Sequence, residues 1–205
     1  MKTLVVGPNG TIGKEVVNLL KEKGYEVIGA SRSTSPGIDI TNPSNIESFY
    51  SNLGEVDAII CVAGDASFSS LDQATDEGIQ LSVNSKLLGQ VNLVRKGLNN
   101  LRPGGVFIIT GGVLAYSPIP KTSLIAMVNA GLEGFARAVA LELTEGRRIV
   151  IVHPDWVDET AAKVGMDPAP FPDAVTTAGA YLVALEGTMN GVPVFVEGHR
   201  PDKKF

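Results

Sequence analysis

The sequence is poor in the residues that announce several protein classes. Only one of its 205 residues is a cysteine, Cys61. No internal disulfide can form, and the apolar run AIICVAG around Cys61 marks a core residue rather than a nucleophile. No metal site is expected. Charged residues make up only 19% of the chain, with Lys and Arg at 17 against 22 Asp and Glu, a net charge of -5. The long-range field therefore repels phosphate backbones and anionic membranes, so neither nucleic acid nor a membrane is an expected partner. No segment approaches a membrane-spanning length, and the opening MKTLVVGPNG breaks at Gly7 and Pro8 too soon for a signal-peptide core, which leads to a cytoplasmic expectation. Low-complexity segments, linkers and internal repeats are missing as well. Only 160–172, TAAKVGMDPAPFP, reads as an irregular, substrate-side loop, and its three prolines suggest a shallow pocket or one closed by a partner chain.

What the chain does have is an alternation of two kinds of segment. TLVVG, EVIGAS, VDAIICVAG, GGVFIITGG, RRIVIVHP and VPVFVEG are short, rich in Val and Ile, and bounded by Gly, Pro or charge, the pattern of buried strands. Longer helical stretches separate them. Residues 11–23 carry Ile12, Val16, Leu19 and Leu20 on one face and stop at Gly24. Residues 43–53 start with Asn42 as N-cap and Pro43 at the first helical position. Long helices are expected at about 75–100 and 122–144. Strand, helix and strand in succession require right-handed crossovers, hence a single-domain α/β fold over 1–205: a doubly wound parallel sheet with helices on both faces.

The first chemical signal is VVGPNGTIG, where a strand runs into Gly7, Gly10 and Gly13 and a helix begins at once. Glycines at such a turn let the backbone approach a pyrophosphate, whose charge is met by the free N–H groups of the helix N-terminus; Asn9, Thr11 and Ile12 belong to the same turn. At the end of the second strand an NAD site usually places an acidic residue on the ribose hydroxyls. This chain instead reads GASRST. The Ser31 hydroxyl and the Arg32 guanidinium suit a 2'-phosphate, favouring NADP(H) over NAD(H).

In order and spacing the Gly turn, DIT at 39–41, VAG at 62–64, VNSKLLG at 83–89, the 122–144 helix and HPDWVDET at 153–160 resemble the short-chain dehydrogenase/reductase family over most of the chain. The resemblance implies a Rossmann-type fold, with Asp39 beside the adenine and Ala63 and Gly64 lining the cofactor groove. It further implies Ile40, Pro154, Trp156 and Val157 as cofactor-binding residues and Asn84 supporting the proton relay. Asp39 could equally be a turn acceptor, and Asn84 could serve its own helix. The family normally carries a Tyr and a Lys four apart on the long helix, so that the Lys charge lowers the Tyr pKa. Here alignment of GLEGFARAVALEL puts Ile125 and Asn129 at those positions, and Gly112 where the family's Ser would orient a carbonyl. Tyr116 is the nearest substitute donor, although an aromatic packing under its loop is an alternative; Lys121, Thr122, Ser123 and His153 are weaker candidates.

Two functions follow as expectations. One is an NADP-dependent oxidoreductase with an atypical active site for a small carbonyl, enone or alcohol. The other is a dinucleotide-binding redox sensor or regulator without turnover. A homodimer or homotetramer is expected through Leu87, Leu88, Val91, Val94, Phe135, Val139 and Leu143, the competing reading being that these residues face their own sheet.

Overall fold

Six short apolar strands emerge where the Val- and Ile-rich segments lie: β1 (Lys2–Val6), β2 (Glu26–Ala30), β3 (Val56–Cys61), β4 (Leu101–Thr110), β5 (Arg148–His153) and β6 (Pro193–Phe195). In this computed structural model, which describes residues 1–163 and 165–202, they form one sheet in the order β2-β1-β3-β4-β5-β6, with every neighbouring pair parallel. The order reverses between β1 and β3, and ligands of open α/β sheets bind in the crevice beyond the strand ends at such a point. Side chains alternate across the sheet. Leu4, Val6, Ile59, Cys61, Phe107, Ile109 and Ile151 enter one core layer, while Val5, Ile60, Val106, Ile108, Val150 and Val152 enter the other. Burial drives the Cys61 thiol up to about 11, as suits a core residue.

The first layer is covered by α2 (Pro43–Leu53), α4 (Leu88–Gly97) and α5 (Ser123–Glu142), the second by α1 (Thr11–Glu22) and α7 (Ala174–Glu186). The Asn42 side chain caps α2 through Ser44 N and Asn45 N, and Gly24 follows α1 at φ +83°, the left-handed conformation a glycine takes without strain.

Three features depart from the sequence pattern. The 75–100 helix is not uniform: α3 (Asp76–Leu81) passes through a π turn (Ser82–Leu87) before α4. The 160–172 loop opens inside a helix, α6 (Asp158–Lys163), and its Val164 lies outside the described residues. One segment does reach spanning length. α5 has 20 residues and is apolar enough to cross a membrane by length and composition, but its Leu124, Val128, Leu132 and Ala136 are buried within the sandwich.

Candidate active site

The turn after β1 is shaped by what a side chain would hit. Gly7 stands at φ +90° with Ala63 close behind it, and a Cβ on Gly13 would fall 2.0 Å from Gly7 O. Gly13 therefore serves the packing of α1 under the turn. Gly10 differs: its φ of -73° and ψ of 167° suit any residue, and a Cβ there would meet only Gly7 O, at 3.7 Å. The fold itself does not require this glycine. It lines a groove of about 480 Å³ with Gly7, Asn9, Ser31, Arg32, Asp39, Ile40, Ala63 and Gly64, all expected at a dinucleotide. Thr11 starts α1, which has no side-chain cap and no acidic residue in its first turn, so its N–H groups are open to an anion.

At the distal end of this groove Asn9 Nδ2 donates to Ser31 Oγ at 3.4 Å and to Ser33 Oγ at 3.3 Å. Arg32 is exposed and, among the described residues, makes no ion pair. Asp39 is a turn acceptor and stands on the groove wall. Its Oδ1 accepts from Thr41 N and Thr41 Oγ1, at 3.0 and 2.8 Å, while the residue lines the groove. These residues fit a nicotinamide dinucleotide: an uncapped helix for the pyrophosphate, and hydroxyls with an exposed guanidinium at the far end of the groove.

Past Val62, Gly64 and Asp65 the groove opens into a recess of about 410 Å³. Gly112, Ile125 and Asn129, far apart in sequence, meet there, and Ile12, Pro154, Trp156 and Val157 complete its wall. The recess adjoins a more apolar cleft of about 380 Å³ through shared Val113, Leu114, Asp155 and Trp156. A Cβ on Gly112 would lie 2.7 Å from Asn129 Nδ2. The missing side chain at one position and the amide at the other are thus complementary.

Two expected members of the site are not in it. Tyr116 does not line the recess: its hydroxyl donates to Glu133 Oε2, and its ring meets His153 and Phe195 edge-on. Burial, then this carboxylate, raises its pKa, so the phenol is a poor acid as well as a misplaced one. Asn84 is exposed and lines neither the groove nor the recess. Asn84 lies within the π turn, whose next two residues, Ser85 and Lys86, line the groove and the recess instead. Ser85 Oγ accepts from Asp65 N at 2.9 Å, tying this helix to the β3 loop, and Lys86 lines the recess.

Lys86 is a recess residue that motif reasoning misses. Its signal is a lone cation in the otherwise uncharged stretch VNSKLLGQV. Burial pushes its ammonium down to about 8, against the smaller opposing influence of Cys61 and Asp65.

The weaker candidates take structural places. Thr122 is buried, donating through Oγ1 to Ile119 O at 2.6 Å, whereas Lys121 and Ser123 are exposed. His153 is fully buried beneath the recess floor, with Nδ1 3.0 Å from Gly112 N and Nε2 3.4 Å from Glu133 Oε2. Arg137 donates to Glu133 Oε1 at 2.7 Å. Glu133 is held below the usual carboxylate range by His153 first, against desolvation, with Tyr116 and Arg137 adding to it. Among the described residues no group of three or more His, Cys, Asp or Glu could hold a metal ion.

Residues 7–179 match a family model described as enoyl-(acyl carrier protein) reductase. A 3-ketodihydrosphingosine reductase of Bacteroides thetaiotaomicron is 29% identical over 68% of the chain, which spans 57% of that reductase's length. The solved protein lin1944 of Listeria innocua is 36% identical, with 96% of this chain and 99% of that one superposed at a TM-score of 0.89. A small-chain dehydrogenase solved in complex with NADPH is 24% identical and covers 96% of each chain at a TM-score of 0.85, a likeness of fold. The sheet order, the glycine turn and these relatives agree, and the chain belongs to the short-chain dehydrogenase/reductase family.

Proposed function

We propose that the chain is an NADP(H)-dependent oxidoreductase acting on a small carbonyl, enone or alcohol through an active site that lacks the family's Ser, Tyr and Lys. The carrying observation is one continuous groove, running from Ser31 and Arg32 past the Gly7–Gly10 turn to the recess at Gly112, Ile125 and Asn129. A bound nicotinamide supplies hydride chemistry in the recess. The chain's own residues bind and orient. The N-terminus of α1 meets the pyrophosphate, Arg32 the 2'-phosphate, Asp39 and Ile40 the adenine, and the Pro154–Val157 segment the nicotinamide end. Ile125 offers neither a proton nor a dipole to a carbonyl oxygen, so orientation and another proton source must carry turnover.

The test of the cofactor assignment compares dissociation constants for NADPH and NADH at one ionic strength, in the parent and in Arg32→Ala. NADPH should bind more tightly in the parent, and the substitution should remove most of that preference. Equal affinities, unmoved by the substitution, would sink it. Binding of NADPH without turnover on a broad panel of carbonyls and enones would favour the redox-sensor reading, for which Ile125 at the donor position speaks.

We also propose a cytoplasmic homodimer or homotetramer. Val94 lies in the protein's own core, and Leu87, Phe135, Val139 and Leu143 pack against it, so most of the residues expected at a subunit contact are spent within the chain. Leu88, Met127 and Leu141 remain exposed on α4 and α5 and are the apolar surface left for pairing. Sedimentation velocity at micromolar concentration should show at least a dimer, and a monomer would overturn this.

A further inference from the structure

We propose that Lys86 is the proton donor of this site: its ammonium protonates the oxygen of a carbonyl substrate held in the recess with Ile125 and Asn129. The proposal rests on the oxidoreductase reading above and deepens it.

Position carries the argument. Lys86 lines the recess with Thr110, Gly112, Ile125 and Asn129, and its stem lies across Gly64, where a Cβ would come within 3.1 Å of Lys86 Cα and Cδ. Gly64 at φ +132° thus clears the path along which the side chain enters. Among the described residues the Lys86 ammonium makes no hydrogen bond and no ion pair, so its protons are free for a ligand. The other proton carriers nearby are committed. Tyr116 is bound to Glu133, His153 lies under the floor, and Thr110 Oγ1 donates to Cys61 O and meets the Tyr181 hydroxyl at 2.8 Å.

The charged and titratable groups around the amine are few. Cys61 and Asp65 face it from β3 and its loop, and Asp155 lies across the recess on the loop after β5. From α5 come the uncharged Ile125 and Asn129, with Glu133 a turn further along and engaged by Tyr116, Arg137 and His153. Burial outweighs the opposing influence of Cys61 and Asp65 and pushes the amine down to about 8. It is therefore mostly protonated at neutral pH and still able to give the proton up, the poise a general acid needs.

In the step, the Nζ–H bond breaks and an O–H bond forms on the substrate. The C=O π bond opens as its carbon receives the hydride that the nicotinamide supplies. The carbonyl is reduced to an alcohol, and the neutral amine recovers its proton from water. Reduction should hold level below about pH 8 and fall above it as the amine loses its proton, with the reverse trend for alcohol oxidation.

The experiment uses phenanthrenequinone, an activated dicarbonyl, with NADPH across pH 6 to 10 on the parent, Lys86→Met and Lys86→Arg. The expected result is parent turnover with a limb near pH 8. Lys86→Met should lose about 100-fold in kcat together with the limb, while its NADPH affinity stays within about threefold of the parent. Lys86→Arg keeps the cation but cannot release a proton, so it too should lose the limb, which separates proton transfer from a structural or purely electrostatic role. An independent readout needs no cofactor: competitive labelling with acetic anhydride should give half-maximal Lys86 reactivity near pH 8, against about 10 for surface lysines. Ordinary lysine reactivity at Lys86 overturns the proposal. So does a Lys86→Met variant that keeps both rate and limb, or a parent that binds NADPH and leaves the quinone unreduced. A parent that binds no NADPH overturns the oxidoreductase reading itself, and the donor role with it.

Discussion

Gly10→Val should fold and lose NADPH, whereas Gly13→Val should not fold at all. Both residues belong to one turn, and a motif comparison treats them alike. A Cβ on Gly13 would sit 2.0 Å from Gly7 O and 3.2 Å from Val62 Cγ2, on backbone that has nowhere to go because α1 is packed on the sheet there. Such a clash costs on the order of 4 kcal/mol or more, a large share of a domain's stability. At Gly10 the backbone is relaxed and the nearest non-neighbouring atom is 3.7 Å away, so the fold tolerates a branched side chain. What it does not tolerate is a phosphate in the same place, and affinity for NADPH should fall by about 100-fold, roughly 2.8 kcal/mol. Circular dichroism and fluorescence titration of the two variants decide the matter. Retained binding in Gly10→Val would mean that this glycine serves only the turn.

Glu133→Leu is expected to destabilise the fold strongly. The residue is 9% exposed, and its carboxylate gathers the Tyr116 hydroxyl, Arg137 and His153 Nε2. Leucine fills the space but strands the Tyr116 phenol and leaves Arg137 without its partner, at a cost of about 3 kcal/mol, or a fall in Tm of about 6 to 12 °C for a chain of this size. The pH dependence has a definite sign. The folded-state pKa of Glu133 is depressed, so its contribution is complete above the unfolded value of about 4.3 and is lost as pH falls through the folded value. The gap between parent and variant should therefore be wide at pH 7 and narrow near pH 3. A variant melting within about 1 °C of the parent at pH 7 would show that the cluster stores no stability.

The residues that could be read from the sequence are those whose role is fixed by local backbone geometry. The strands follow from Val and Ile runs, α2 from Asn42 and Pro43, and the groove from glycines and the residues at strand ends. Helix α7 was hidden because AVTTAGAYLVALE has almost no polar face. Ala178, Tyr181, Ala184 and Leu185 enter the core while Val175 and Val183 are exposed, so no stripe marks which side is buried. Tyr116 had the right loop but the wrong partner, since a buried carboxylate 17 positions later captures its hydroxyl. Asn84 had the right motif but not the right side of its helix, because spacing rules assume α geometry and nothing in SVNSKL advertises a departure from it.

That departure has a further consequence for how such a site can change. Removing one residue from 82–87 would restore α spacing, turning the preceding segment by about 100° against the rest of α4 while leaving the sheet untouched. A deletion between Asn84 and Lys86 would leave Lys86 in register with α4 and bring Asn84 to the place that Ser85 now holds on the groove wall. A one-codon deletion, with no substitution in the pocket, would thus change what that wall presents, much as a ratchet moves by one tooth.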